Sequence, residues 1–321
     1  MNENMLDKLF DDFNSSAPVG EYGVRFLDDK LEGINKGEVI LIGADSGIGK
    51  STLASQIAKK NTENGIKTAL FSIENQSGDY KRKEIWRKYK VKAKDWDLTF
   101  RKFNKLVYCR LVDIDIYQES KNEVEKEMKD LYLVEFTENL FTLTELQIGI
   151  KDAVKQHGCK LVIFDHIDYL DEDEQELVYD KEIGGNKIIN KKQDNKTFLK
   201  RTMKSLRDIQ RGYDDIPIVV FSQLRKNNDS KMIIPSLDEF YGSGDKVKIA
   251  TTVIVLSPDY EKNKEAFNTT ERYTFICIRK DRFDGKGLAR CVFDIKKQAY
   301  TDTYIEGYTD KWGYVAKFEG E

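Results

Sequence analysis

Proline is almost missing from this chain, with four in 321 residues, and no internal repeat is visible. Without a proline-rich or low-complexity connector the sequence reads as one domain, residues 19–321, preceded by a short segment, residues 1–18. Cysteine is equally sparse: Cys109, Cys159, Cys277 and Cys291 lie far apart, without the paired spacing of a zinc site. Three of them fall in apolar runs, where cysteine serves as a small core residue, so reduced thiols and a cytoplasmic setting are expected. No run reaches the about 18 apolar residues of a membrane span. The opening MNENMLD lacks the basic region and apolar core of an export signal. Charge of one sign is lacking too: 53 Lys and Arg against 56 Asp and Glu leave −3, so any surface that attracts nucleic acid must be local. What is present suffices for a core, since 40% of the residues are hydrophobic and 11% aromatic.

Short apolar runs at 38–42, 68–73, 132–136, 160–164, 216–221, 252–256 and 273–278 alternate with stretches of helical spacing such as 142–157 and 198–211. That alternation predicts an α/β fold, a mostly parallel central sheet flanked by helices. Runs at 289–292 and 301–305 predict a closing antiparallel strand pair. Two stretches, 171–196 and 225–248, read as irregular loops after strand ends, where open α/β sheets bind ligands.

The first apolar run leads into GADSGIGKST and then a helical pattern. A glycine-rich bend between strand and helix lets several backbone N–H groups face one anion, with the helix N-terminus adding partial positive charge. Ala44, Asp45, Ser46, Gly47, Ile48, Gly49, Lys50, Ser51 and Thr52 make up the expected phosphate loop. Lys50 is placed for the β and γ phosphates of ATP and Ser51 for Mg²⁺. Ala44 stands where the strict pattern has glycine.

Other strand ends carry chemistry of the matching kind. Asp165, closing LVIFD, is either a turn former or the acid that holds the shell of the same Mg²⁺. Glu74, after ALFSI, serves either as a solvated terminus or, if its strand lies beside the loop strand, as the base for the attacking water. Gln223, after IVVFS, is either a polar terminus or a γ-phosphate sensor. Lys280 and Arg282, alternate residues in IRKDRF, face one side of a continuing strand. They read as a solvated edge or as cations offered to a neighbouring subunit's phosphates.

The order and wording of these segments resemble the RecA-like motor domain of the DnaB family of hexameric replicative helicases, with features of the phage helicase-primases. The entry GVRFLDDKLEGINKGEVILIGADSGIGKST, the strand TALFSIEN, the stretch KQHGCKLVIFDHIDYL, the strand IPIVVFSQLRKNN and RKDRFDGKG carry the likeness, from about Val19 to about Tyr304. The family's loop often begins with alanine, as Ala44 does. The resemblance implies Glu74 as catalytic base, Gln223 as sensor, and Lys280 and Arg282 as residues reaching into the next subunit's nucleotide. It also implies a ring, six-membered in the family, acting on single-stranded DNA with ATP and Mg²⁺, and primase or loader proteins as partners.

Two departures mark this sequence. The family carries an N-terminal scaffold or primase domain, whereas only residues 1–18 precede the motor here, with MLDKLFDDF a candidate subunit-docking helix. Tyr241 stands where the family's DNA loop has arginine. The expected DNA contacts are therefore Arg225, Lys226, Gly242, Ser243, Gly244 and Lys246, with Lys248 nearby, relying on backbone N–H groups and few cations. The leading expectation is an ATP-dependent helicase or translocase. The alternative is a RecA-like ring ATPase with a regulatory or recombination role, acting through protein partners. A small-molecule kinase and a non-catalytic nucleotide module share the loop but have no use for Lys280 and Arg282.

Overall fold

Runs of Val, Ile and Leu bounded by polar turns become strands. The computed structural model describes residues 18–45, 47–72, 77–134, 142–170, 173–180, 185–192, 195–224, 234–240, 244–266, 270–309 and 316–318. The strands, in chain order, are β1 (Val39–Ala44), β2 (Thr68–Ser72), β3 (Leu131–Val134), β4 (Leu161–Asp165), β5 (Asp173–Asp180), β6 (Gly185–Lys192), β7 (Ile218–Gln223), β8 (Thr252–Pro258), β9 (Glu271–Lys280), β10 (Gly287–Asp294), β11 (Ala299–Thr309) and β12 (Ala316–Phe318). The helices are α1 (Arg25–Leu31), α2 (Lys50–Glu63), α3 (Ser77–Lys92), α4 (Phe100–Tyr108), α5 (Ile114–Glu127), α6 (Leu143–Lys155), α7 (Asn195–Gly212), α8 (Gly244–Ile249) and α9 (Tyr260–Glu265).

Ten strands form one sheet in the order β12-β11-β10-β9-β8-β1-β7-β4-β2-β3. From β8 to β3 the neighbours run parallel, and from β8 to β12 they run antiparallel. The central strands are apolar without alternation because both faces are covered. Val39 and Leu41 of β1 join Phe71, Val162, Phe164 and Val220 in a core closed by Leu146 and Ile150 of α6 and Met203 and Leu206 of α7. The intervening Ile40 and Ile42 join Leu70, Ile163, Val219 and Phe221 in a second core, closed by Leu53 and Ile57 of α2 and Phe26 and Leu27 of α1. Period-two geometry thus splits one apolar run between two cores.

The expected parallel sheet and antiparallel end are both present. The closing pair is larger than expected, since β9 to β12 are all antiparallel. The stretch that reads as irregular at 171–196 contains β5 and β6, an antiparallel hairpin that forms its own two-stranded sheet. Helix α6 begins with a capping box in which Thr142 and Glu145 satisfy each other's backbone N–H groups. All four cysteines are free, and Cys159, Cys277 and Cys291 are buried as core residues. Among the described residues, no helix is long and apolar enough to cross a membrane.

Candidate functional site

The phosphate loop leaves β1 at its C-terminal end, between β8 and β7. Gly47 and Gly49 have φ of 82° and 97°, the left-handed region that a side chain rarely enters, and Gly49 is the N-cap of α2. Ala44 needs no such freedom. It is the last residue of β1, level with Gln223 on one side and Leu256 on the other, so alanine in the first loop position is no departure from the geometry. Gly43 is constrained differently: a Cβ there would lie 2.5 Å from the Phe240 ring and 2.8 Å from Leu224. Lys50, buried in the loop, donates from Nζ to the carbonyls of Ala44 and Asp45, each at 2.9 Å.

Register brings the other residues to the same edge. Gln223 ends β7 beside Ala44, and β4, the next strand, ends in the buried Asp165. Ser51 and Asp165 line one cleft of about 70 Å³, together with Ser72 at the end of β2. A hydroxyl and a carboxylate facing one cleft are hard oxygen donors that suit Mg²⁺. The peptide joining Asp165 to His166 is cis.

The expectation for Glu74 as base depends on its strand lying beside the loop strand. It does not: β7 and β4 stand between β1 and β2. The chain nevertheless leaves β2 at Ser72, level with Asp165. Glu74 itself lies outside the described residues, as do Ser46, Arg225, Lys226, Tyr241, Gly242, Ser243 and the candidate docking helix before residue 18.

Helix α3 contributes residues that no motif signalled. Tyr80, Lys83, Glu84 and Arg87 line the cleft opposite Ser51. The Arg87 guanidinium pairs with Glu84 one turn away. Tyr80 is buried, with its hydroxyl 3.5 Å from the Ser55 carbonyl, and burial followed by the Glu84 charge raises its phenol pKa well above the ordinary value. A larger adjoining cavity, about 470 Å³, shares Thr52, Ser55, Glu84 and Arg87 with the cleft and extends to Gln56 and Gln298.

Lys246 corrects an expectation. A DNA contact needs solvent, but Lys246 is 0% exposed, and its Nζ lies 2.6 Å from Asp168 Oδ1 and 3.1 Å from Ser222 Oγ. Asp168, in the single turn after β4, also accepts from the Ser222 hydroxyl at 3.2 Å and from the Gln223 backbone N–H at 2.6 Å. Burial alone would raise the Asp168 carboxyl, but His166, Lys246 and the Gln223 amide together hold it below the ordinary carboxylate value. Of the other expected contacts in this stretch, Gly244 begins α8; Lys248, expected nearby, lies on that helix near its end.

Lys280 and Arg282 sit at the opposite end of the sheet. Antiparallel pairing places Lys280 level with Val253, which is level with Leu41, and β9 then runs away from the phosphate loop. Strand rise puts Lys280 about 10 Å of sheet below Ala44, with Arg282 farther still. Lys280 donates to the carbonyls of Val247 (2.7 Å) and Ala250 (2.6 Å) at the end of α8. Burial and the nearby Arg282 and Arg207 lower its pKa. Arg282 follows on a turn braced by Asp281, which accepts from the Thr252 hydroxyl and from the N–H groups of Phe283 and Gly285.

Comparison with known proteins agrees with this fold. A solved structure described as the ATPase domain of another protein has a TM-score of 0.69 at 16% identity, covering 94% of this chain and 98% of that one. Another, described as a DnaB-like replicative helicase and its interactions with primase, has a TM-score of 0.66 at 16% identity and covers 94% of this chain, which spans 66% of it. At that identity the likeness carries the fold, which is RecA-like. A search of curated proteins finds no significant match. The sequence itself matches the family model of the DnaB-like helicase C-terminal domain over residues 21–302, and the chain belongs to that family.

Proposed function

We propose that this chain is the motor of an ATP-dependent DNA helicase or translocase that acts on single-stranded DNA in replication. ATP is hydrolysed where the subunits of a homo-oligomeric ring meet. One observation carries the interface part: Lys50, Ser51, Asp165 and Gln223 gather at the C-terminal edge of the strands, whereas Lys280 and Arg282 leave the opposite edge. A chain cannot bring that arginine to its own phosphate loop without undoing β9, but a ring places one subunit's lower edge against the next subunit's cleft.

In this reading Lys50 and the loop N–H groups hold the triphosphate, and Ser51 and Asp165 hold Mg²⁺. When bound, Mg²⁺ neutralises the β and γ oxygens. Glu74, just beyond Ser72, takes the proton of the attacking water. The neighbour's Arg282 and Lys280 stabilise charge on the transferring phosphoryl group. Gln223, level with the start of the loop, registers loss of the γ phosphate. The adjoining cavity lined by Gln56 and Gln298 has room for the nucleoside.

The test is ATP hydrolysis by the purified chain across a salt series, with and without single-stranded DNA, using Lys50→Ala as the blank. Hydrolysis stimulated by DNA, with a stimulation that fades as salt rises, is the expected result. Robust hydrolysis indifferent to DNA would sink the helicase reading. It would favour instead a ring ATPase acting on protein partners. The burial of Lys246, which removes a cation from the expected DNA contacts, supports that second reading.

A further inference from the structure

Helix α8 has only six residues, yet it is held from both ends of the sheet. At its start, Lys246 is bound to Asp168 and Ser222, next to the residue expected to sense phosphate. At its end, Lys280 binds the carbonyls of Val247 and Lys248 and, just beyond the helix, of Ala250, Arg207 donates to Ile249 O at 2.8 Å, and Arg282 lies 3.4 Å from Lys248 O. Cations at the last carbonyls of a helix satisfy acceptors that have no partner within it. The two clusters belong to different functions in the proposed mechanism: one reads the chain's own nucleotide, the other serves the next subunit's. A single rigid turn of helix joins them.

We propose that Asp168 and Lys246 are positioning residues that tie the Gln223 end of β7 to α8 and, through the last carbonyls of α8, to Lys280 and Arg282. The state of the nucleotide in one cleft then sets where the chain holds the arginine it offers to its neighbour. This rests on the motor reading and adds the link between successive sites.

The pair cannot part within the fold. Lys246 is 0% exposed and the Asp168 side chain 7% exposed, so separating them strands an unpaired charge away from water. Asp168 also accepts the main-chain N–H of Gln223, so a backbone shift at Gln223 moves the carboxylate, and the carboxylate carries Lys246 with it. A buried ion pair is a poor way to add stability, because an apolar pair of similar volume does as well. It is, however, directional, and here it joins three elements that share no local sequence.

Backbone hydrogen exchange of residues 247–250 and 280–285, measured with ADP and with a non-hydrolysable ATP analogue and without DNA, tests the link. In the wild-type protein the exchange of both segments should differ between the two states by about fivefold or more. The double variant Lys246→Met with Asp168→Asn removes both charges of the pair, keeps the core filled and leaves an acceptor for the Gln223 N–H. It should lose the difference, keep KM for ATP within about twofold, and lower kcat by about tenfold. Lys246→Met alone, which strands the carboxylate, should also lower the melting temperature, whereas the double variant recovers most of it. Wild-type segments that exchange identically in both states would overturn the proposal, as would a folded double variant that keeps the difference and the wild-type kcat. Because these readings need no DNA, failure of the helicase reading shows separately, as hydrolysis that DNA does not change.

Discussion

Glu38 shows how far one residue can be displaced from its ordinary chemistry. It precedes β1 and is 3% exposed, and burial pushes its carboxyl up to about 7, with Asp281 adding to the rise and the Asn35 N–H opposing it. Between the ordinary value of 4.5 and about 7 the folded chain holds a proton that the unfolded chain has already lost. The group's contribution to stability is therefore full below the lower value, falls as pH rises through this window, and levels off above it. Glu38→Gln should remove that slope and make the protein more stable at pH 8, by about 3 kcal/mol at most. Thermal or denaturant unfolding of both proteins at pH 5 and pH 8 measures it. A variant no more stable than the wild type at pH 8 would mean that the carboxylate finds hydration or a partner in the folded state.

At the scale of elements, the β5–β6 hairpin stands apart. It belongs to its own sheet, and its register sets acidic positions of β5 opposite basic positions of β6, with Asp173 across from Lys192 and Glu174 across from Lys191. It follows β4 and its Asp165, so it leaves the strand edge that carries the cleft without contributing a strand to the main sheet. Replacing residues 173–192 by a short Gly-Ser turn should leave hydrolysis without DNA within about twofold of wild type and reduce stimulation by single-stranded DNA. Loss of the DNA-free rate would instead assign the hairpin to the fold of the ATP site. Sequence alone reads that hairpin as an irregular loop, and the reason is physical: a ribbon composed mostly of charged and amide residues has little apolar alternation to display. β1, β4 and β7 are legible because strands covered on both faces read as continuous apolar runs. The phosphate loop is legible because its chemistry is local, with strand, glycines, lysine and serine all in one stretch. The pairing of Asp168 with Lys246 is not. The two residues are 78 positions apart, and nothing near Lys246 in the sequence distinguishes it from the surface lysines around it. The distance of β2 from β1 is hidden for the same reason, since strand order is decided by crossovers and leaves no local mark.

For the whole molecule, the decisive property is that the two halves of the proposed catalytic set face opposite ends of one sheet. If hydrolysis took place within a chain, defects in the two halves could not complement each other, because each mutant protein would lack something every one of its sites needs. In a ring with shared sites the defects fall on different sides of an interface. Lys50→Ala damages the cleft a subunit owns, and Arg282→Ala damages the finger it lends. Each variant alone should hydrolyse ATP at background level. Mixed in equal amounts under conditions that let subunits exchange, they should regain activity, because about a quarter of the interfaces in random rings pair an intact cleft with an intact finger. The rate should rise with the mole fraction of wild-type chain in titrations against either mutant, and ADP release measured with a coupled assay follows it directly. Mixtures that stay at background, while sedimentation shows mixed rings forming, would mean that Arg282 is needed by its own chain and is not lent to the next subunit's site. Its turn, braced by Asp281, would then serve the lower edge of the sheet alone.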